Sequence, residues 1–381
     1  MFNTFILVLL NSTFESGVKP LFHYFYPMKN NNYHVLGVMS GTSLDGVDIT
    51  ECFFEISREQ QWSFTIGASE TIEYPTIWKR TLQQAVQYSE EKLTELDENY
   101  TDYLSQIISA FISKHQITDI DAVCSHGHTV LHEPEKGVTF QIGNLPKLAT
   151  LIKQKVVCDF RVQDVNLGGQ GAPLVPVGDA FLFPEYDYCL NLGGFANCSF
   201  EKNGKRIAYD ICPVNIVLNL YAEKLGEKYD DKGEMAASGE LNSGLLNQLN
   251  HLNFYNEEPP KSLGLEWVKA YIFPILETSG ETYRNILRTF TEHIAIQLGR
   301  QFSEGKKVLA TGGGVYNSFL IDRFKSLRNV ELVVPSNQLI GYKEALVFGL
   351  LGILKLRDQV NCLSSVTGAK ENHSSGLVFH P

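Results

Sequence analysis

No two cysteines in this 381-residue chain stand in a C-x-x-C spacing, and the seven, at 52, 124, 158, 189, 198, 212 and 362, make an odd total. That excludes a disulfide scaffold and a zinc ribbon, and it predicts a reducing, cytoplasmic setting. No run approaches the ~18–20 apolar residues that a membrane-spanning helix requires. Positive charge is short as well: 32 Lys+Arg against 43 Asp+Glu leave a formal charge of −11, without a local basic patch. Nucleic acid and anionic membrane surfaces would repel such a chain, so small molecules are the expected partners. The short apolar stretch at residues 5–10 has no Lys or Arg before it and no small-residue cleavage pattern follows it before Met28. It does not read as a signal peptide. Residues 1–33 are expected to be a tail or an over-long start, with Met28 itself a plausible first residue.

What is present is a mixture of strand and helix patterns. Apolar residues make up 44% of the chain and aromatics 11%, enough for sizeable cores, and the length suggests two domains. Three glycine-rich turns each follow an apolar β-like run. The first is Gly41-Thr42-Ser43-Leu44-Asp45-Gly46, between residues 34–40 and an alternating run at 47–54. The second is Gly193-Gly194, between residues 188–192 and 198–201. Both read as strand, turn, strand. The third, Gly312-Gly313-Gly314, follows residues 307–311 and opens a helix-like run at 317–324. Helical spacing is also clear at residues 281–300 and 95–114, and residues 346–356 read as a largely buried helix. An α/β fold with two related lobes and a cleft between them is expected. The first lobe is placed at 34–160 plus 344–370 and the second at 161–343.

Glycine turns at hairpin tips present closely spaced backbone N–H groups, which bind phosphate without needing a lysine. Gly41, Thr42, Ser43, Gly193, Gly194, Asn197, Gly312, Gly313 and Gly314 are therefore candidate phosphate-binding residues. Asp45 is placed either to hold a Mg²⁺ through water or simply to shape an Asp-Gly turn. Asp210 closes the strand-like residues 206–209 and reads as a base facing the cleft or as a solvated strand-end carboxylate. His126, His128 and His132 with Glu133 crowd into eight residues, which suits either a metal or hydrogen bonding to a sugar. His126 and His128 are expected to project to one side of a buried strand, with His132 beyond a turn. Arg161 reads as a clamp for a substrate carboxylate or as the ion-pair partner of Asp159 or Asp164. A serine hydrolase built on Ser43 or Ser125 is disfavoured, because no G-x-S-x-G elbow leads into a helix.

Together, Met39-Ser40-Gly41-Thr42-Ser43-Leu44-Asp45-Gly46-Val47-Asp48, Ser125-His126-Gly127, His132-Glu133-Pro134, Gln141-Ile142-Gly143-Asn144, Asp159-Phe160-Arg161, residues 168–176, Asn191-Leu192-Gly193-Gly194-Phe195 and Thr311-Gly312-Gly313-Gly314 resemble the anhydro-N-acetylmuramic acid kinase family. The resemblance implies a two-lobe, actin-like (ribonuclease H-like) ATPase fold and an ATP- and Mg²⁺-dependent kinase of peptidoglycan recycling, with a homodimer favoured. It implies that water opens the 1,6-anhydro bridge while O6 takes the phosphoryl group, giving N-acetylmuramate 6-phosphate. Asp210 matches the family's catalytic aspartate. The first block, including Leu44, Gly46, Val47 and Asp48, falls to ATP, and His126, His132, Asp159, Arg161 and Asp164 fall to the sugar. Two departures stand out. Where the family commonly has Asp-(Cys or Thr)-Gly-Pro-Gly-Asn, this chain has Asp210-Ile211-Cys212-Pro213-Val214-Asn215, and His128 stands where glutamine is usual. The side chains of Cys212 and Val214 are expected to restrict the backbone or narrow the sugar pocket. That leaves a non-catalytic nucleotide or muropeptide sensor, or a kinase for another sugar, as alternatives.

Overall fold

The first hairpin forms as two antiparallel strands, β1 (Asn32–Ser40) and β2 (Gly46–Ile56), in register from Asn32 against Glu55 to Ser40 against Val47. In this computed structural model, residues 31–41 and 43–381 are described, so the expectations for residues 1–30 and Thr42 lie outside the described residues. Strand β3 (Trp62–Glu73) pairs antiparallel with β2, while β4 (Ala122–Glu133) and β6 (Val156–Cys158) extend the sheet parallel on the other side of β1. Strand β5 (Val138–Ile142) folds back on β4, and β12 (Leu377–Phe379) closes the edge at β6.

The second sheet repeats the plan. Strands β7 (Tyr188–Leu192), β8 (Phe195–Lys202) and β9 (Lys205–Pro213) form an antiparallel meander. Strands β10 (Lys307–Thr311) and β11 (Glu331–Val333) then add parallel to β7. The orders β6-β4-β1-β2-β3 and β11-β10-β7-β8-β9 are the same topology written twice.

Helices fill the layers around these sheets. On the outer face of the first lies α1 (Glu90–Lys114), capped by Ser89 and burying Leu104, Ile108 and Phe111. Next in the chain come α2 (Val162–Asn166), α3 (Val175–Leu182) and α4 (Asn215–Glu223). The outer face of the second sheet carries α4, α5 (Tyr283–Gln301) and α6 (Ser318–Leu327). The long helix α7 (Asn337–Leu356) runs through the middle layer with α3. There Val35 and Cys124 of the first sheet, Phe348 and Leu350 of α7, Val177 of α3, and Cys189 and Leu309 of the second sheet share one apolar cluster. A helix enclosed in this way has no broad polar face, which is why residues 346–356 are apolar nearly all round. All seven cysteines are free and buried. No helix among the described residues is long and apolar enough to cross a membrane.

The structure corrects three local expectations. Strand β4 runs to Glu133, so His132 lies on the strand and not past a turn. Between the β1 pairings of Ser125 with Val38 and His128 with Ser40, β4 carries one extra residue, with Gly127 at φ +72°. A one-residue bulge flips everything after it to the other face. His126 accordingly packs on Phe348 in the middle layer, while His128 packs on Tyr74 and Tyr100 toward α1, so the two do not project together. Third, β9 continues through Asp210 to Pro213, so Asp210 sits within a strand at a register shift opposite Asn197.

Helix α7 approaches the first sheet so closely that a Cβ at Gly37 would fall on the Ala345 carbonyl of α7. Gly37→Ala should lower folding stability by about 1–3 kcal/mol, the usual cost of overpacking, measured by chemical denaturation.

Candidate active site

The β1–β2 turn closes at Leu44, whose φ of +60° is left-handed and whose N–H donates to the Gly41 carbonyl at 3.3 Å. Gly41, Ser43, Asp45, Gly46, Asp48 and Glu344 of α7 line a cavity of about 280 Å³. Of the first block, Val47 is fully buried and Leu44 packs against the outer cluster of the first sheet. Their side chains therefore serve the core, leaving only main-chain groups for a ligand. The turn is anchored from behind: Ser40 Oγ bonds Tyr74 Oη at 2.6 Å and His128 Nδ1 at 2.8 Å, and Tyr74 Oη bonds Tyr100 Oη at 2.6 Å. Burial pushes His128 down to about 4, so it is neutral and acts in this hydroxyl chain.

The carboxylates in the cavity disturb each other. Burial raises Asp48, the Thr71 hydroxyl bonded at 2.6 Å offsets part of that rise, and the charge of Asp45 adds to it. Glu344 is pushed up by the protein around it, pulled down by Arg161, and pushed up again by Asp48. Glu344 was not among the residues expected at the site. The available signal was the charged pair Lys343-Glu344 inside an otherwise apolar helix.

The second and third turns meet because β10 lies beside β7. Gly312 has φ +83°, and a Cβ there would come within 2.7 Å of the Leu192 carbonyl group, which precedes Gly193. The start of α4 docks on the same turn: Val214 N–H donates to Gly194 O at 2.8 Å, and Asn215 Nδ2 donates to Leu192 O at 3.4 Å. After Gly312 the chain first makes a short 3₁₀ turn, and α6 begins only at Ser318 with Asn317 as its cap.

Asn191 pairs with Asn197, and Asn197 with Asp210, across β7, β8 and β9. Directly opposed residues share a face. That face also carries Cys189 and Leu309, which belong to the middle layer, so the row from Gly312 through Asn191 and Asn197 to Asp210 looks toward the first sheet. Asp210 is half-buried and accepts the Leu263 N–H at 2.7 Å. Burial pushes its carboxyl up to about 6, against the pull of that hydrogen bond.

Cys212 and Val214 are both fully buried in the outer core of the second sheet. Val214 has φ −129° and ψ −99°, and Cys212 is not among the left-handed residues, so neither lies in the left-handed region that favours glycine. The expectation that they narrow a sugar pocket is overturned, because their side chains point away from the row that carries Asp210.

Arg161 donates from Nε to His126 Nε2 at 2.8 Å and from Nη1 to the Gly171 carbonyl at 2.6 Å. Burial lowers it to about 10, and Glu344 counters that. His126 is held well below its usual range by burial and by Arg161, and its Nδ1 meets the Gly127 carbonyl at 2.9 Å. With both ring nitrogens occupied, His126 orients Arg161 and has no free nitrogen for a sugar. His132 is exposed and bonds Thr139 Oγ1 at 3.1 Å. Asp159 is left-handed at φ +58° and raised by burial. Asp164 is the clear misplacement: it is fully buried, and its oxygens accept Gly171 N–H, Thr367 Oγ1–H and the Cys362 thiol. It shapes the loop under Arg161 and does not reach the cleft.

A duplicated α/β sheet, each copy offering a glycine turn at its hairpin tip, with acids and an arginine in the layer between, fits a two-lobed sugar kinase. The comparisons narrow this further. The profile described as anhydro-N-acetylmuramic acid kinase matches residues 33–381, and the chain belongs to that family. An anhydro-N-acetylmuramic acid kinase of Actinobacillus pleuropneumoniae serotype 5b is 32% identical over 371 residues, spanning 92% of this chain and 100% of the relative. One from Vibrio cholerae is 32% identical across 91% of this chain and 98% of its own length. One from Pseudomonas fluorescens is 32% identical over 90% of this chain and 98% of the relative.

If His126 acts by orienting Arg161, His126→Leu should leave the guanidinium without its acceptor. A lost hydrogen bond to a charged group is worth ~1.5–3 kcal/mol, or about 10–150-fold in kcat/KM. Steady-state kinetics should show this loss, with His126→Gln, which keeps an acceptor, closer to the parent.

Proposed function

We propose that the protein converts 1,6-anhydro-N-acetylmuramic acid, ATP and water into N-acetylmuramate 6-phosphate and ADP, with Asp210 as the general base. The observation that carries this reading is the placement of Asp210: a carboxyl with a pKa of about 6, on the inner face of the second sheet, one short row away from the Gly312 turn. A base must be unprotonated at working pH yet basic enough to accept a proton, and a carboxylate raised to this range meets both demands near neutrality.

In the proposed reaction Asp210 takes a proton from water as the water oxygen bonds to C1. The C1–O6 bond breaks, and O6 bonds to the γ-phosphorus as the bond to ADP breaks. Backbone N–H groups of the turns at Gly41, Gly193 and Gly312–Gly314 cradle the phosphates, and Arg161 takes the substrate carboxylate. Asp45 and Asp48 would hold Mg²⁺ together with the phosphates. Their hard oxygen donors suit that ion, and Asp48, raised first by burial and then by the charge of Asp45, is a carboxyl whose ionised form a divalent cation would favour. When bound, the ion neutralises charge on the phosphates. The buried, outward-turned side chains of Cys212 and Val214 favour this reading over a sensor that binds without turnover.

Asp210→Asn should cut kcat by ~10²–10⁴ while ATP binding persists, because the amide keeps the shape but accepts no proton. Retention of more than about a tenth of the activity would exclude Asp210 as the base. Since the base works only when ionised, kcat/KM should fall as pH drops below about 6 and level off above it. Turnover in ¹⁸O-water should label the anomeric hydroxyl and leave the C6–O–P bridge unlabelled. Label in the bridge, or equal rates with the ring-opened sugar, would indicate an ordinary hexose kinase.

A further inference from the structure

Behind the Arg161 loop, three buried side chains from distant parts of the chain converge. Asp164 and Cys362 are fully buried and His373 is 8% exposed. Cys362 and His373 face each other across an isolated antiparallel bridge, with Cys362 N–H donating to His373 O at 3.1 Å and His373 N–H to Cys362 O at 3.2 Å. Such a bridge sets both side chains on one face. The Cys362 Sγ lies 3.0 Å and the His373 Nε2 3.6 Å from the same oxygen, Asp164 Oδ1, and the three donor atoms all fall within 4.8 Å of one another.

His373 supplies a separate observation. Its Nδ1 meets the Glu371 carbonyl at 3.1 Å, and only an N–H can donate there. Its other ring nitrogen, Nε2, has no hydrogen-bond partner and faces Asp164 Oδ1 at 3.6 Å. A buried ring nitrogen without a hydrogen-bond partner, facing a carboxylate oxygen and close to a thiol, is a donor position that a proton or a metal ion can fill. A backbone carbonyl holding the far ring nitrogen is the usual support of a metal-bound histidine.

We propose that Asp164, Cys362 and His373 supply three of the four ligands of a buried zinc site. Tetrahedral zinc, with Zn–S near ~2.3 Å and Zn–N or Zn–O near ~2.0–2.1 Å, separates its donor atoms by about 3.3–3.5 Å. At Asp164 Oδ1 the sulfur stands 3.0 Å and the nitrogen 3.6 Å away, so the thiol must withdraw by about 0.5 Å to admit the ion. A thiolate, an imidazole and a carboxylate make a donor set suited to zinc over magnesium or calcium. Binding replaces the Cys362 thiol proton, which leaves to solvent, so the Zn²⁺, thiolate and carboxylate sum to zero charge in a buried place. Thr367 Oγ1–H, 2.7 Å from Asp164 Oδ1, supports the carboxylate. The other oxygen, Oδ2, accepts Gly171 N–H at 2.7 Å, and Gly171 O holds Arg161. The metal thus clips the C-terminal segment to α2 and stiffens the loop that positions Arg161.

The test uses the full chain expressed in medium supplemented with zinc or, separately, cobalt. Metal analysis should find close to one zinc per chain in the parent and a more than tenfold loss in Cys362→Ser and His373→Gln, with a lower thermal midpoint in both. Cys198→Ala, whose thiol lies in the second-sheet core, should keep its metal. The cobalt-loaded parent should show the near-ultraviolet band of a thiolate bound to Co²⁺, absent in Cys362→Ser. Should the variants fail to fold, the parent alone decides. Less than a tenth of an equivalent of zinc, or cobalt bound without the thiolate band, would overturn the site and leave a hydrogen-bonded cluster.

Discussion

One carboxylate sets the spacing of this molecule. Asp179 on α3 lies 2.6 Å from Lys343 Nζ on α7, 3.8 Å from Arg206 Nη2 on β9, and bonds the Ser199 hydroxyl on β8. All four residues are buried. Burial pulls the Lys343 ammonium down, but Asp179 outweighs it and holds the group above the usual lysine range. Desolvation of such a cluster offsets most of its attraction, so its net stabilisation is small, whereas losing the central acid alone would strand two buried cations at ~3–5 kcal/mol. Its effect is geometric: only one arrangement of α7, α3 and the second sheet pairs both cations. Lys343 adjoins Glu344, and Arg206 precedes Asp210 on the same strand. The cluster therefore fixes where the acid of the cavity stands relative to the proposed base.

Around that fixed frame, departures from regular backbone gather at the site. Gly127 bulges β4 and sends His126 to Arg161 and His128 to Ser40. A register shift in β9 lies at Asp210, and left-handed residues mark Leu44, Asp159 and Gly312. The first two interrupt a ladder where a side chain is re-aimed, and the left-handed residues turn the chain just beyond strand ends.

That pattern explains what could be read from the residues. Both hairpins, the glycine turns and the amphipathic helices were legible, since strand alternation, helical spacing and glycine clusters are local signals. The turn at Gly312 is a case where geometry demands glycine, because a side chain would strike the Leu192 carbonyl. Illegible were the consequences of single-residue shifts and of burial. The bulge at Gly127 reversed the expected direction of His128. Asp164 and Arg161 stand three residues apart, yet only burial distinguishes the loop-shaping acid from the half-buried arginine. Glu344 was hidden because an apolar helix in a middle layer looks like pure core. The replaced glycines at Cys212 and Val214 drew attention that their burial in the second-sheet core does not support.

Carboxylates do opposite things here, and surroundings decide which. Asp210 has burial and one N–H, with no cation among the causes acting on it, so it is basic. Asp48 and Glu344, both raised chiefly by burial, share one cavity with Asp45, an arrangement that fits the proposed cation and the phosphates it would bring. A chain of net charge −11 that must hold a nucleotide cannot rely on its overall field. In the proposed reading, local partial charges hold the nucleotide instead. Backbone N–H groups at glycine turns attract phosphate at short range and leave no charge elsewhere, so the acidic surface and the anionic ligand are compatible.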